Sequence, residues 1–125
     1  MVSPYRPIDA GLRHARLPVG AVVSILHRVS GVAQVAIVGV ALWMLRDAVG
    51  SPAGYAQTAR WIDSRWGAIL GPVACGVVAH HLYAGIRHLL FDAGIGRGRV
   101  AGRRSATLVL ALVLATMAGA GLLWP

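Results

Sequence analysis

The sequence predicts an all-α membrane protein with three transmembrane helices and a cytoplasmic N-terminus. Three observations carry that prediction. Of its 125 residues, 57% are hydrophobic and only 13% charged, against roughly 45–50% and about 25% in a soluble domain. Mean hydropathy is +0.66, which leaves too little polar surface to wrap the chain in water. Three apolar runs each reach the roughly 20 helical residues that span a hydrocarbon core of about 30 Å. Such a composition excludes a soluble enzyme and a disordered tail.

The first predicted helix runs from about residue 18 to 45. At 1.5 Å per residue it reaches roughly 42 Å, so its start projects into the headgroups. A signal peptide has an apolar block of only about 7–15 residues. Here the block is longer and is interrupted by Ser24, His27, Arg28 and Ser30, so it is expected to be a retained helix. After it, Ser51 to Tyr55 reads as a turn with Pro52 ending helix continuation, and Ala56 to Arg65 as a short interfacial helix. The second spanning helix covers about 66–91, with its polar residues near its C-terminal end. Residues Gly94 to Gly98 read as a flexible cytoplasmic link, and the third helix, about 106–124, is almost purely aliphatic. No alternation of period two is sustained, and strands would leave open edges in lipid. The layout is an N-terminal segment, 1–17, followed by one anchor domain, 18–125.

Arginine placement sets the orientation. The chain has 12 Arg and Lys together, all arginine, against four Asp, for a formal charge of +8. Arg6, Arg13 and Arg16 precede the first helix, and Arg97, Arg99, Arg103 and Arg104 lie between the second and third. Arg46, Arg60 and Arg65 fall on the opposite side. The excess on one side places the N-terminus and second loop in the cytoplasm. Trp43, Trp66 and Trp124 then fall near the outer interface, where indoles anchor. Arginines that bracket apolar runs are membrane flanks, not the basic face of a nucleic-acid-binding domain, so no nucleic acid is expected. Cys75 has no partner cysteine and is expected to pack as a small apolar side chain. Gly67-Ala-Ile-Leu-Gly71 is a small-xxx-small helix-packing pattern.

Polar residues inside spanning helices are the informative ones, because an Arg at the bilayer centre costs about 2.5–3.5 kcal/mol on insertion scales. Ser24, His27, Arg28 and Gly31 share one stripe of the first helix. His81 and His88, seven apart, share a face of the second, with Tyr83 and Arg87 on a neighbouring stripe and His80 pointing elsewhere. Both sets lie toward the cytoplasmic side, around one buried volume that suits an apolar ligand with an anionic or carbonyl-bearing head. Haem fits that chemistry: iron takes a neutral imidazole, and propionates need cationic donors. By depth His81 is the ligand candidate, with Gly85 one turn along the same face for close approach of a flat ring. His27, Arg28 and His88 suit propionates. A quinone fits beside it, with Ser24 donating to a carbonyl oxygen and Arg28 offsetting negative charge. The plainer alternative leaves each group to the fold, with His81 bonding helix to helix, Ser24 bonding its own backbone and Arg28 snorkelling to lipid phosphate.

Two stretches resemble a known family. Ser24-Ile-Leu-His-Arg-Val-Ser-Gly31 resembles the SxxHRxTG signature of the succinate dehydrogenase cytochrome b anchor, with Ser30 in place of the usual Thr. His81-Leu-Tyr-Ala-Gly-Ile-Arg-His-Leu-Leu-Phe-Asp92 resembles the family's HxxxGIRHLxxD signature, and Arg6-Pro7 its RP start. The similarity spans essentially the whole chain.

The resemblance implies a multi-pass anchor in the bacterial cytoplasmic (inner) membrane that holds a flavoprotein and an iron–sulfur subunit with a second small anchor subunit. It implies haem b between the two anchors, one axial histidine from each, and His81 matches the ligand supplied by this one. Ser24 and Arg28 match the quinone site, His27 and Arg28 match positions near a haem propionate, and His88 is a supporting group. Succinate oxidation belongs to the flavoprotein, with electrons passing through iron–sulfur clusters to ubiquinone. His81 and His88 are about 10 Å apart by helical rise and cannot clamp one iron, so the partner anchor must supply the second histidine. Two rivals share the scaffold: a haem-free structural anchor, and a fumarate reductase anchor using menaquinol. A small transporter should carry an intramembrane carboxylate, and Asp92, the one candidate, lies at a helix end.

Overall fold

The structure is a computed structural model that describes residues 17–125. Expectations for residues 1–16, including the placement of Arg6, Arg13 and Arg16, lie outside the described residues. The described chain forms four helices, α1 (Val19–Gly50), α2 (Pro52–Ile62), α3 (Arg65–Asp92) and α4 (Arg99–Leu122). Of these, α1, α3 and α4, with 32, 28 and 24 residues, are long and apolar enough to cross a membrane. The all-helical architecture with three spans is the one predicted.

Helix ends depart from the apolar runs, and each departure has a local cause. The first helix continues past Leu45 to Gly50, where Ser51 turns extended at φ −163°. Ser51 then caps the next helix, its Oγ accepting from the Gly54 amide at 3.0 Å. Pro52 therefore opens α2 instead of closing a turn, because proline's fixed φ suits the first helical position and its missing N–H is not needed there. Ser64 caps α3 in the same way, accepting from the Gly67 amide at 3.1 Å. Helix α4 begins at Arg99, seven residues before the aliphatic run that predicted it. Hydropathy marks where lipid begins, whereas arginine is a good helix former on either side of that boundary.

The α3–α4 connection is a hydrogen-bonded turn, not a loose link. Gly94 takes φ +85° and Gly96 φ +77°, a conformation side chains with a Cβ avoid. The Ile95 amide returns to the Leu90 carbonyl at 2.8 Å. Arg97 donates from Nε to the Phe91 carbonyl at 2.6 Å and from its terminal nitrogen to the Asp92 carbonyl at 3.1 Å. The Phe91 carbonyl, which also accepts from the Gly94 amide at 2.9 Å, and the Asp92 carbonyl thus gain a cationic donor at the end of α3.

Helix α3 is central, packing on α4 along one side and α1 along another, while α1 also touches α2 and α4. The shared core is small: Val23, Ala84, Ala106 and Val109. Most large apolar side chains face outward, as with Val32 at 77% and Leu122 at 86% exposure, which in water would be a severe liability and in lipid is expected. Cys75 also faces outward. It does not fill the core as a small apolar group, because the α3 positions that face neighbours there are taken by Pro72 and Gly76. Between α3 and α4, a Cβ at Gly76 would strike Met117 and one at Gly71 would strike the Trp124 ring. The small residues let the two helices approach, with the Gly71 end of the small-xxx-small pattern in use.

Candidate functional site

Helices α1 and α3 run antiparallel, and their register follows from close approaches. A Cβ on Gly20 would lie 3.2 Å from an Arg87 nitrogen, one on Gly85 would lie 3.4 Å from His27 Nε2, and one on Gly31 would lie 3.0 Å from His81 Cε1. This register brings both polar stripes to one end of the bundle. Three of the sequence-predicted residues meet there. The His27 ring stacks on His81 with centroids 4.3 Å apart and planes 16° apart. It also stands 5.1 Å from the His88 ring, tilted by 47°.

His81 is tied to α1 through one ring nitrogen. Its Nδ1 lies 3.1 Å from the His27 carbonyl oxygen and 3.3 Å from Ser30 Oγ. A carbonyl oxygen can only accept, so Nδ1 carries a proton, and in the neutral ring Nε2 keeps its lone pair. No described residue hydrogen-bonds to Nε2. This is the tautomer and the outer contact that a metal-bound imidazole uses: one N–H donated to a backbone carbonyl, the other nitrogen free.

Ser24 and Arg28 are placed differently. They lie roughly 60° and 100° around α1 from His27 at 3.6 residues per turn. Ser24 is half-buried and Arg28 exposed, so both flank the histidine cluster on a side that the described helices cover only in part. The structure brings His27, His81 and His88 together and leaves Ser24 and Arg28 on the adjoining rim.

Two features of the predicted volume differ. The group standing over Gly85 is the His27 ring, so that glycine accommodates a side chain from α1 and is not kept clear for a macrocycle. Arg87 turns away from the cluster. It is 7% exposed and donates from Nε to Ser105 Oγ at 3.0 Å and from its terminal nitrogen to the Gly102 carbonyl at 3.2 Å. Its guanidinium carbon lies 4.3 Å from the Phe91 centroid, within cation–π range. Arg87 is therefore a fold residue joining α3 to the start of α4. Tyr83 is another, its hydroxyl 3.3 Å from that of Thr116. His80 is buried, and its Nε2 has no partner among the described residues.

Ser30 is the residue that periodicity overlooks. It is 6% exposed, and its hydroxyl donates to the His27 carbonyl at 2.9 Å beside His81 Nδ1. The available signal is its position three residues after His27, where a helical serine reaches back to that carbonyl. Two open hollows, of about 400 and 300 Å³, lie around Arg60 and Trp61 and around Trp43 and Arg46. The first borders Trp66, which precedes His81 by 15 residues and so by about 22 Å along α3. Neither belongs to the cluster.

Comparison with known proteins assigns the chain to a family. The model of the succinate dehydrogenase/fumarate reductase transmembrane subunit family matches residues 3–120. The chain belongs to that family. Among its relatives, the succinate dehydrogenase cytochrome b556 subunit of Paracoccus denitrificans is 40% identical over 92 residues, covering 73% of this chain and 70% of that protein. The protein of the same name from Coxiella burnetii (strain RSA 493 / Nine Mile phase I) is 28% identical over 120 residues, covering 91% and 96%. Like other members of the succinate dehydrogenase/fumarate reductase transmembrane subunit family, the chain is a multi-pass membrane protein and one part of an enzyme complex.

Proposed function

We propose that this protein holds haem b through His81, together with a histidine from a second small anchor subunit, and forms part of a ubiquinone-reducing site through Ser24 and Arg28. The observation that carries the haem assignment is the His81 ring: Nδ1–H faces the His27 carbonyl at 3.1 Å, so Nε2 is the free donor. The donor set fits the group. One neutral imidazole serves the iron, and the His27 and His88 rings beside it with Arg28 on the rim provide hydrogen-bond donors for carboxylates. When bound, the haem supplies a one-electron redox centre near the quinone.

At the rim, the Ser24 hydroxyl donates to a quinone carbonyl oxygen and the Arg28 guanidinium offsets the negative charge that builds there on reduction. A half-buried serine and an exposed arginine on a partly covered side suit a site closed by other subunits. Those are the sister anchor and an iron–sulfur subunit, with a flavoprotein subunit beyond it oxidising succinate. The turn carrying Arg97, with Arg99, Arg103 and Arg104 on α4, faces the cytoplasm of a bacterial inner membrane and meets lipid phosphates.

Two variants test this. Reduced-minus-oxidised spectra of the complex are expected to show a b-type haem that His81→Leu abolishes or perturbs; an unchanged spectrum removes His81 from the role and leaves a haem-free tether. Arg28→Leu is expected to slow succinate-to-quinone turnover roughly 100-fold while succinate-to-soluble-dye activity stays near wild type. Equal loss of both activities takes Arg28 out of the quinone site.

A further inference from the structure

We propose that Ser30 is a positioning residue for His81: its hydroxyl fixes the His81 ring and raises its donor strength. The inference rests on the haem reading above and deepens it. The His27 carbonyl is crowded. Within α1 it is the helical acceptor for the Gly31 amide, Ser30 Oγ donates to it at 2.9 Å, and His81 Nδ1 approaches at 3.1 Å. Three donors thus compete for an oxygen with two lone pairs, which weakens the hold of any one of them.

Ser30 supplies Nδ1–H with a second acceptor. A hydroxyl that donates to the His27 carbonyl keeps lone pairs of its own, and Oγ lies 3.3 Å from Nδ1. The Nδ1–H is therefore shared between the carbonyl and Oγ, and the two acceptors, three residues apart on one rigid helix, fix the direction of the ring. Stacking on His27 at 4.3 Å restrains its tilt, and Gly31 leaves the ring edge no spare room. At 6% exposure no water competes for these bonds. Acceptors on the outer N–H of a metal-bound imidazole make the other nitrogen a better donor, which favours the oxidised metal and lowers the potential. Losing Oγ should reverse that.

The test is redox titration and low-temperature EPR of the haem in membranes carrying the assembled complex. Ser30→Ala is expected to keep the haem, shift its midpoint potential upward and change its low-spin g-values. Ser30→Thr, which keeps a hydroxyl able to reach the same carbonyl, is expected to match wild type. Should Ser30→Ala fail to accumulate, Ser30→Cys, similar in size but a weak acceptor, takes its place with the same upward shift expected. Haem in wild type with an unchanged or lowered potential in the hydroxyl-less variant overturns the role of Ser30 alone. So does a Ser30→Thr shift as large as that of Ser30→Ala, since packing and not the hydroxyl would then be responsible. A wild-type complex without haem overturns the haem reading, and this inference with it.

Discussion

The two seams of α3 use polar residues in opposite ways. Toward α4 the polar side chains find partners inside the chain: Arg87 on Ser105 and Gly102, Tyr83 on Thr116, and the Trp124 indole on the Ile62 carbonyl at 2.9 Å. Toward α1, three imidazoles crowd together, and among them only His81 Nδ1 is hydrogen-bonded to the described residues. In lipid there is no water to absorb the difference, and a polar group without a partner is expensive. The α4 seam thus pairs most of its polar groups within the chain, buried His80 Nε2 being the exception among the described residues, while the α1 seam holds nitrogen lone pairs and N–H groups that the described residues leave without partners.

Breaking each seam should give different symptoms. The largest effect is expected from Arg87→Leu, which removes two charge-assisted bonds and leaves Ser105 with only its own bond to the Gly102 carbonyl at 3.1 Å. Stability should fall by about 2 kcal/mol, read as a lower thermal midpoint of the detergent-solubilised complex, while any remaining complex keeps its haem spectrum. Gly31→Ala should do the reverse. A new methyl 3.0 Å from His81 Cε1 pushes the ring by a few tenths of an ångström, so the haem potential and EPR signature should move while the thermal midpoint changes little. A pure stability loss with unaltered spectra would make the α1 seam as structural as the other. The smallest effect belongs to Tyr83→Phe, which loses one hydroxyl pair worth about 0.6 kcal/mol in a membrane interior, with haem and quinone properties untouched.

Much of this is legible in the chain because bilayers impose simple rules. Apolar runs long enough to span forecast α1, α3 and α4, and offsets of three, four and seven put His27, His81 and His88 where they meet. What escapes are features that hydropathy does not encode. Pro52 reads as a terminator, yet a serine before it makes it a helix start. Arg99 to Arg104 look like loop, because charge marks the lipid boundary and not the helix boundary. Arg87 sits next to His88 in sequence, and roughly 100° of helical rotation is enough to send it to the other neighbour. Ser30 looks like a conservative replacement, and its value lies in a carbonyl that no side-chain pattern displays.

The Trp124 bond to Ile62 also bears on biosynthesis. The two residues are 62 positions apart, so at about 5–20 residues per second the ribosome needs on the order of 3–12 s between them. The α2–α3 corner must wait in the translocon's surroundings through that interval with a carbonyl unclaimed. Because the indole also covers Gly71, Trp124 acts as a latch between the far end of α4 and the α2–α3 corner, made after the histidine end has had time to assemble.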